Sequence, residues 1–251
     1  GSSAKAQQIM IDFLENLSGS DYWNIQTSYT GGDGRRLSNS LVYGGSISVK
    51  SKRRVSETRV ENVIFKAIKN GNLPLSEDAV YILLPSHNIR DPNNEGDSGC
   101  NRYCGYHSYG YLKKKVITWA FITHPYACPD KSGCLVYARG SINRHAAADA
   151  MVSVIAHEIE EAVSDNMFDA WYSFKTGDEN ADICAWQYLT DKNWNLQLGN
   201  RKYLVQSNWL NAGEGGCAIA YSHPATLSPT PQPSQLPTQP SPQPTVKPSR
   251  P

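Results

Sequence analysis

The chain has 251 residues, 24 of them basic and 23 acidic, for a formal net charge of +1 at pH 7. That balance gives no electrostatic hold on nucleic acid, and no apolar run is long enough to cross a bilayer. The length is enough for one domain with a sizeable core, read as a monomer.

Gly1-Ser2-Ser3 reads as vector-derived, residues 4–222 as one globular domain, and 223–251 as a tail. The domain opens with an amphipathic helix over 5–17, carried by Ile9, Phe13, Leu14 and Leu17 and stopped by Gly19. An extended segment over 21–29 leads to the turn Gly31-Gly32-Asp33-Gly34. Residues 41–49 read as a strand, and 50–54 as a basic, solvated loop. A second helix is expected from Glu57 to Asn70, with Ser56 as N-cap and Gly71 as the stop. The apolar run 79–84 is short enough for a buried strand. Residues 86–99 and then 100–110 read as loops, and 116–123, rich in β-branched and aromatic residues, as the clearest strand. A long helix follows over 143–165, then an aromatic and acidic stretch to Trp186, and short strands over 201–205 and 217–221. The tail is Pro, Ser, Thr and Gln with few apolar residues. It cannot bury enough surface to offset its ordering entropy, so a disordered stalk is expected.

Six cysteines, an even number, fit three disulfides in an oxidising compartment. Proximity in sequence suggests Cys100–Cys104, Cys128–Cys134 and Cys184–Cys217. A Cys/His zinc cluster is the rival, disfavoured because no second C-x-x-C-like pair has the usual spacing. Asn16-Leu17-Ser18 is an N-glycosylation acceptor, in keeping with secretion.

The chemistry concentrates in the long helix. His157 and Glu161 stand one turn apart on one face, the spacing by which one helix grips one metal ion. Glu158 follows the histidine, where hydrolases of the H-E-x-x-H type keep their general base. Here the second histidine is a carboxylate, giving H-E-x-x-E. A catalytic metal needs a third protein ligand. Glu179 and Asp182, three apart in the acidic loop before Cys184, are the candidates. Asp165, two turns past His157, is a further ligand or an orienting partner. Imidazole with carboxylates suits Zn2+; a carboxylate subset suits Ca2+. The competing reading makes Glu158, Glu160 and Glu161 an ordinary solvated face. Against it, residues 146–155 carry only Asp149 as a charge, so the helix is buried up to the histidine. A Ser153/His145/Asp149 triad lacks the G-x-S-x-G elbow. Most of the late aromatics, Trp171, Tyr172, Trp186, Trp194 and Trp209, read as core, with a minority able to stack on sugars.

Several stretches in one order resemble the EXORDIUM-like, or phosphate-induced protein 1, family. They are the segment Ile11 to Ser18, Tyr22-Trp23, the Cys-x-x-x-Cys-Gly-x-His run ending at His107, and Gly199 to Leu204 before Cys217. The resemblance covers residues 7–221. The H-E-x-x-E-A-x-x-D run ending at Asp165, Trp171-Tyr172, and Gly177, Glu179, Asp182 and Cys184 look like the family's microbial branch, whereas its plant members lack the His-Glu pair. The resemblance implies secretion into a wall or apoplast and an α/β-type domain whose usual opening strand lies upstream of Gly1. His107 stands in the plant pattern as well, which implies a structural role for it; polarising a substrate carbonyl is the alternative.

The sequence therefore predicts a disulfide-stabilised α+β domain, α/β-like in part. A central mixed sheet carries a long buried metal-site helix of zincin-like kind. Its expected activity is zinc-dependent hydrolysis of a peptide or cell-wall substrate. The alternative is a non-catalytic wall- or glycan-binding or signalling module whose metal is structural or absent.

Overall fold

A computed structural model describes residues 2–50, 53–89, 100, 103–128, 133–135 and 140–222. The expected tail over 223–251 and most of the loop over 86–99 lie outside the described residues.

Helix α1 spans Ser2–Leu17, α2 Glu57–Lys69 and α3 Ala146–Ser164. Strands β1 (Val80–Leu83), β2 (Gly105–Leu112) and β3 (Lys115–Ile122) form the main sheet in the order β1-β3-β2. β1 runs parallel to β3 and β2 antiparallel to it, so the sheet is mixed. Two small hairpins follow: β4 (Leu196–Leu198) with β5 (Arg201–Tyr203), and β6 (Asn208–Leu210) with β7 (Gly216–Ala218).

Successive strand residues face opposite ways. Ile117, Trp119 and Phe121 of β3 pack with Val60, Ile64 and Phe65 of α2. Ile122, on the other face, joins the core that α3 and α1 build, with Ile9, Phe13, Val152 and Ile155. The layers are thus α2, sheet, α3 and α1. α3 is buried almost all round, as a helix enclosed by protein must be. Its start is fixed by polar contacts. His145 Nδ1 accepts from Ala148 N at 3.2 Å, and Asp149 accepts from Ser141 Oγ at 2.5 Å and Asn143 Nδ2 at 2.6 Å. His145 and Asp149 are thereby committed to capping, and Ser153 is fully buried, which disposes of the triad.

Four expectations change. Residues 100–110 do not form a loop cinched on itself, because most of β2 lies there. A two-residue turn, Lys113-Lys114, with φ of 52° and 66°, folds β2 back on β3. Gly105 then sits opposite Ile122, and Thr123 N donates to Cys104 O at 2.7 Å. That register carries the segment before β2 alongside the segment after β3. The disulfides consequently run across the hairpin, Cys100–Cys128 and Cys104–Cys134, each with Cα atoms 5.4 Å apart, in place of Cys100–Cys104 and Cys128–Cys134. Cys184–Cys217 forms as expected. Residues 41–49 form no strand: Gly44 and Gly45 interrupt them, no strand among the described residues pairs with them, and Val42 and Val49 are exposed. Residues 23–28 are a 3-10 helix, not extended chain, and bury Trp23, Ile25 and Gln26. Ser56 does precede α2, without a side-chain cap.

Candidate metal centre

The last turns of α3, the edge strand β2 and the acidic loop meet in a cavity of about 370 Å³. From α3 it is lined by Val154, His157, Glu158 and Glu161, from β2 by His107, and from the loop by Glu179 and Asp182. The sheet register explains His107. It pairs with Ala120, so it shares the face that looks at α3. Gly105, two residues earlier, is what lets β2 come so close. A Cβ there would meet Glu158 Oε1 at 2.6 Å and Val154 Cγ1 at 2.7 Å.

The sequence-derived residues converge in two overlapping groups. His157, Glu161 and Asp182 each offer a ligand atom within 4.8 Å of one another, and so do His107, Glu161 and Glu179. His157 Nε2 lies 3.2 Å from Glu161 Oε1 and 3.4 Å from Asp182 Oδ1. His107 Nδ1 lies 3.7 Å from Glu161 Oε2 and 3.8 Å from Glu158 Oε2, and its Nε2 lies 3.6 Å from Glu179 Oε1. Asp182 N donates to Glu161 Oε1 at 3.1 Å, which pins the loop to the helix. Asp165 belongs to neither group. It ends α3, and its Oδ1 accepts from Ala170 N at 2.6 Å, which turns the chain after the helix. Asn16, the glycosylation candidate, is an exposed residue of α1 whose amide donates to Asp12 O at 2.8 Å.

The acids of α3 are no solvated face, since Glu158, Glu160 and Glu161 are all buried. Among the described residues, His107 Nε2, His157 Nδ1, Glu158 Oε2 and Glu179 Oε1 are buried without a hydrogen-bond partner. Burial lowers the His107 pKa, but Glu158, Glu161 and Glu179 outweigh it and raise it to about 10. His157 is likewise raised well above 6.5: burial opposes the shift, and Glu161 and Asp182 prevail. Burial also works against Glu161, yet His157 and His107 hold it down at about 2. Glu179 is pushed up to about 8 by burial and then by Glu161. Glu158 is raised, chiefly by burial.

Two bulky aromatics flank the centre. Phe168 and Trp186 line the cavity and remain about half exposed, and both adopt left-handed backbone, φ 57° and 64°. Side chains of that size rarely occupy this region, and such strain gathers at functional sites. The Phe168 ring lies 4.8 Å from that of His107.

Sequence reasoning set His107 aside as structural, and the structure puts it inside the cluster. The signal was the two-residue spacing from Gly105 to His107, which puts both on one face of a strand read as loop.

The profile of the phosphate-induced protein 1 conserved region matches residues 3–196. The chain belongs to the phosphate-induced protein 1 family. Two curated relatives from Arabidopsis thaliana are similar to it. Protein EXORDIUM-like 5 is 24% identical over 250 residues, covering 81% of this chain and 67% of the relative. Protein EXORDIUM-like 3 is 22% identical over 255 residues, covering 83% and 74%. No solved structure matches. Phosphate-induced protein 1 membership and three disulfides together suggest an extracellular protein. No helix among the described residues is long and apolar enough to cross a membrane.

Proposed function

We propose that this protein is a secreted zinc-dependent hydrolase, a peptidase, of the microbial branch of its family and active in the cell wall or apoplast. One observation carries the reading. His157, Glu161 and Asp182 converge in a cavity that also holds Glu158, a buried carboxylate with an unpartnered oxygen. His157 and the two carboxylates form a mixed nitrogen and oxygen set that suits zinc. Zinc, when bound, supplies an acidified water and a Lewis acid. Glu158 stands outside the triad and takes the proton from the attacking water, then returns it to the leaving amine. Phe168 and Trp186 supply an apolar wall for a substrate side chain. The long helix seated against an edge strand supports a zincin-like layout.

The charge count supports a metal over an internal ion-pair network. Among the described residues, four carboxylates and two histidines line the cavity, and no lysine or arginine does. Asp182 is half exposed and reaches solvent, but Glu158, Glu161 and Glu179 are enclosed, so with all of them ionised and both imidazoles protonated one negative charge still stays buried without compensation, and buried charge without a partner is costly.

The test is metal analysis of the purified full chain, followed by turnover of a mixed peptide library by wild type and Glu158→Gln. Zinc in both, with turnover lowered about 10²–10⁴-fold in the variant, is expected. A protein whose melting temperature drops on chelation but which turns over no peptide is instead the non-catalytic wall module with a structural ion.

A further inference from the structure

The two ligand groups share one residue, and they use its two oxygens separately. Glu161 Oε1 faces His157 Nε2 at 3.2 Å, while Oε2 faces His107 Nδ1 at 3.7 Å. We propose that the cavity holds a pair of divalent cations bridged by the Glu161 carboxylate. His157 and Asp182 complete one site; His107 and Glu179 complete the other. This rests on the metal reading above and goes beyond it in nuclearity and in the part given to His107.

Three independent observations support the pair. First, each group has the same make-up, one imidazole, one terminal carboxylate and the shared Glu161. A single ion satisfies one group and leaves the other as a bare buried cluster. Second, the atoms facing the second position are buried and make no hydrogen bond. His107 is 6% exposed with Nε2 unbonded, and Glu179 Oε1 is also unbonded. A metal-bound imidazole keeps one ring nitrogen for the ion and uses the other to donate to a carboxylate. His107 Nε2 faces Glu179 Oε1 at 3.6 Å, and on the Nδ1 side Glu158 Oε2, a carboxylate of neither group, stands at 3.8 Å to take its proton. Third, the charges close. With both histidines neutral, as ligands must be, the four cavity carboxylates carry four negative charges, and two divalent cations carry four positive ones. One cation leaves two of those charges unmatched, and of the four carboxylates only Asp182 is exposed to solvent.

A bridged pair also fits the chemistry. Two metals a short distance apart would hold the attacking water and polarise the substrate carbonyl between them, while the leaving amine takes its proton from Glu158. Imidazole and carboxylate together suit zinc or manganese.

The experiment is metal stoichiometry on the intact chain, stripped with chelator, reloaded with zinc, and freed of excess by gel filtration. Wild type, His107→Gln and His157→Gln are compared, with circular dichroism melts to show that each variant is folded. The same chains loaded with manganese are read by electron paramagnetic resonance. Two zinc ions per wild-type chain, one in each variant, and an exchange-coupled manganese signal in wild type alone are expected. One zinc per chain in both wild type and His107→Gln overturns the pair but leaves the single-metal hydrolase standing. No zinc in folded wild type overturns both. Should His107→Gln fail to fold, the wild-type stoichiometry and its manganese signal still decide the matter.

Discussion

Gly105→Ala tests the arrangement on which the whole site depends, the close approach of β2 to α3. The added methyl would sit 2.7 Å from Val154 Cγ1, 2.6 Å from Glu158 Oε1 and 2.9 Å from Glu158 Cγ. Ordinary carbon contacts lie at about 3.5–4.0 Å, so the overlap is roughly 1 Å. Val154 is fixed in a buried helix and cannot yield. Either β2 is pushed outward or Glu158 turns away. Overpacking of this kind costs about 1–3 kcal/mol. For a domain of this size each kcal/mol moves the melting temperature by about 2–4 °C, so a fall between about 2 and 12 °C is expected. Displacing Glu158 by about 1 Å also lowers turnover, by about a hundredfold. Gly110→Ala is the control. Gly110 faces the other side of the sheet, where a Cβ would meet Glu61 and Phe65 of α2. It is expected to lose stability with no loss of zinc or of turnover per folded molecule. Differential scanning calorimetry and peptide turnover read the two effects. Equal turnover in the two variants refutes the placement of β2 against α3.

Two further outcomes follow from the same geometry. Peptide mapping without reduction should recover Cys100 joined to Cys128 and Cys104 to Cys134; a fragment closed on itself from Cys100 to Cys104 contradicts the hairpin register. Stability should also depend on pH with opposite sign in the stripped and loaded protein. Glu179, raised to about 8, and His107, raised to about 10, both favour the metal-free fold while protonated. That stability is complete below their unfolded values, 4.5 and 6.5, and is lost as pH rises through the folded values. His124, lowered to about 4, contributes no slope above 6.5. From pH 6.5 to 8 the stripped protein's melting temperature should therefore fall. The zinc-loaded protein's should rise, because binding requires those protons to leave. Parallel slopes in the two forms tell against metal ligation by these groups.

What the sequence disclosed was whatever has a local signature. Helical periodicity gave the first and third helices and the face shared by His157 and Glu161, cap and stop residues gave the second helix, and apolar or β-branched runs gave β1 and β3. The acidic loop was legible because its carboxylates stand beside Cys184, whose disulfide with Cys217 ties it to the core. β2 was not legible. Its residues, Gly-Tyr-His-Ser-Tyr-Gly-Tyr-Leu, include two glycines and few aliphatic side chains, so no strand propensity shows. Those glycines are there because α3 on one face and α2 on the other come too close for a side chain. The same omission misplaced two disulfides and left His107 out of the site. Glu160 escaped for a different reason. Helical spacing cannot distinguish a face turned to solvent from one turned to Tyr22 and Tyr29, which lie beside this carboxylate in the interior.

The acidic loop offers the sharpest separation of folding from ligation. Glu179 and Asp182 reach the histidines because their segment is held to its surroundings. Trp209 N donates to Asn180 O at 3.1 Å, Asn180 Nδ2 donates to Ser164 Oγ at 3.0 Å, Asp182 N donates to Glu161 Oε1 at 3.1 Å, and Cys184 is bonded to Cys217 across 33 residues. The disulfide is the covalent tie among these, and it can be removed without touching a ligand. Opening a loop of that length costs about 3–4 kcal/mol in chain entropy. The double variant Cys184→Ser, Cys217→Ser is therefore expected to melt lower. If the disulfide also orders the ligand loop, zinc affinity must fall with it, because binding then has to restore that order from its own free energy. Titration with a competing chelator, at a temperature where the variant is fully folded, reads this directly. A lowered melting temperature with unchanged zinc affinity would place the ordering of the loop in its hydrogen bonds alone. It would also mean that Cys184 and Cys217 stabilise the domain without shaping its metal centre.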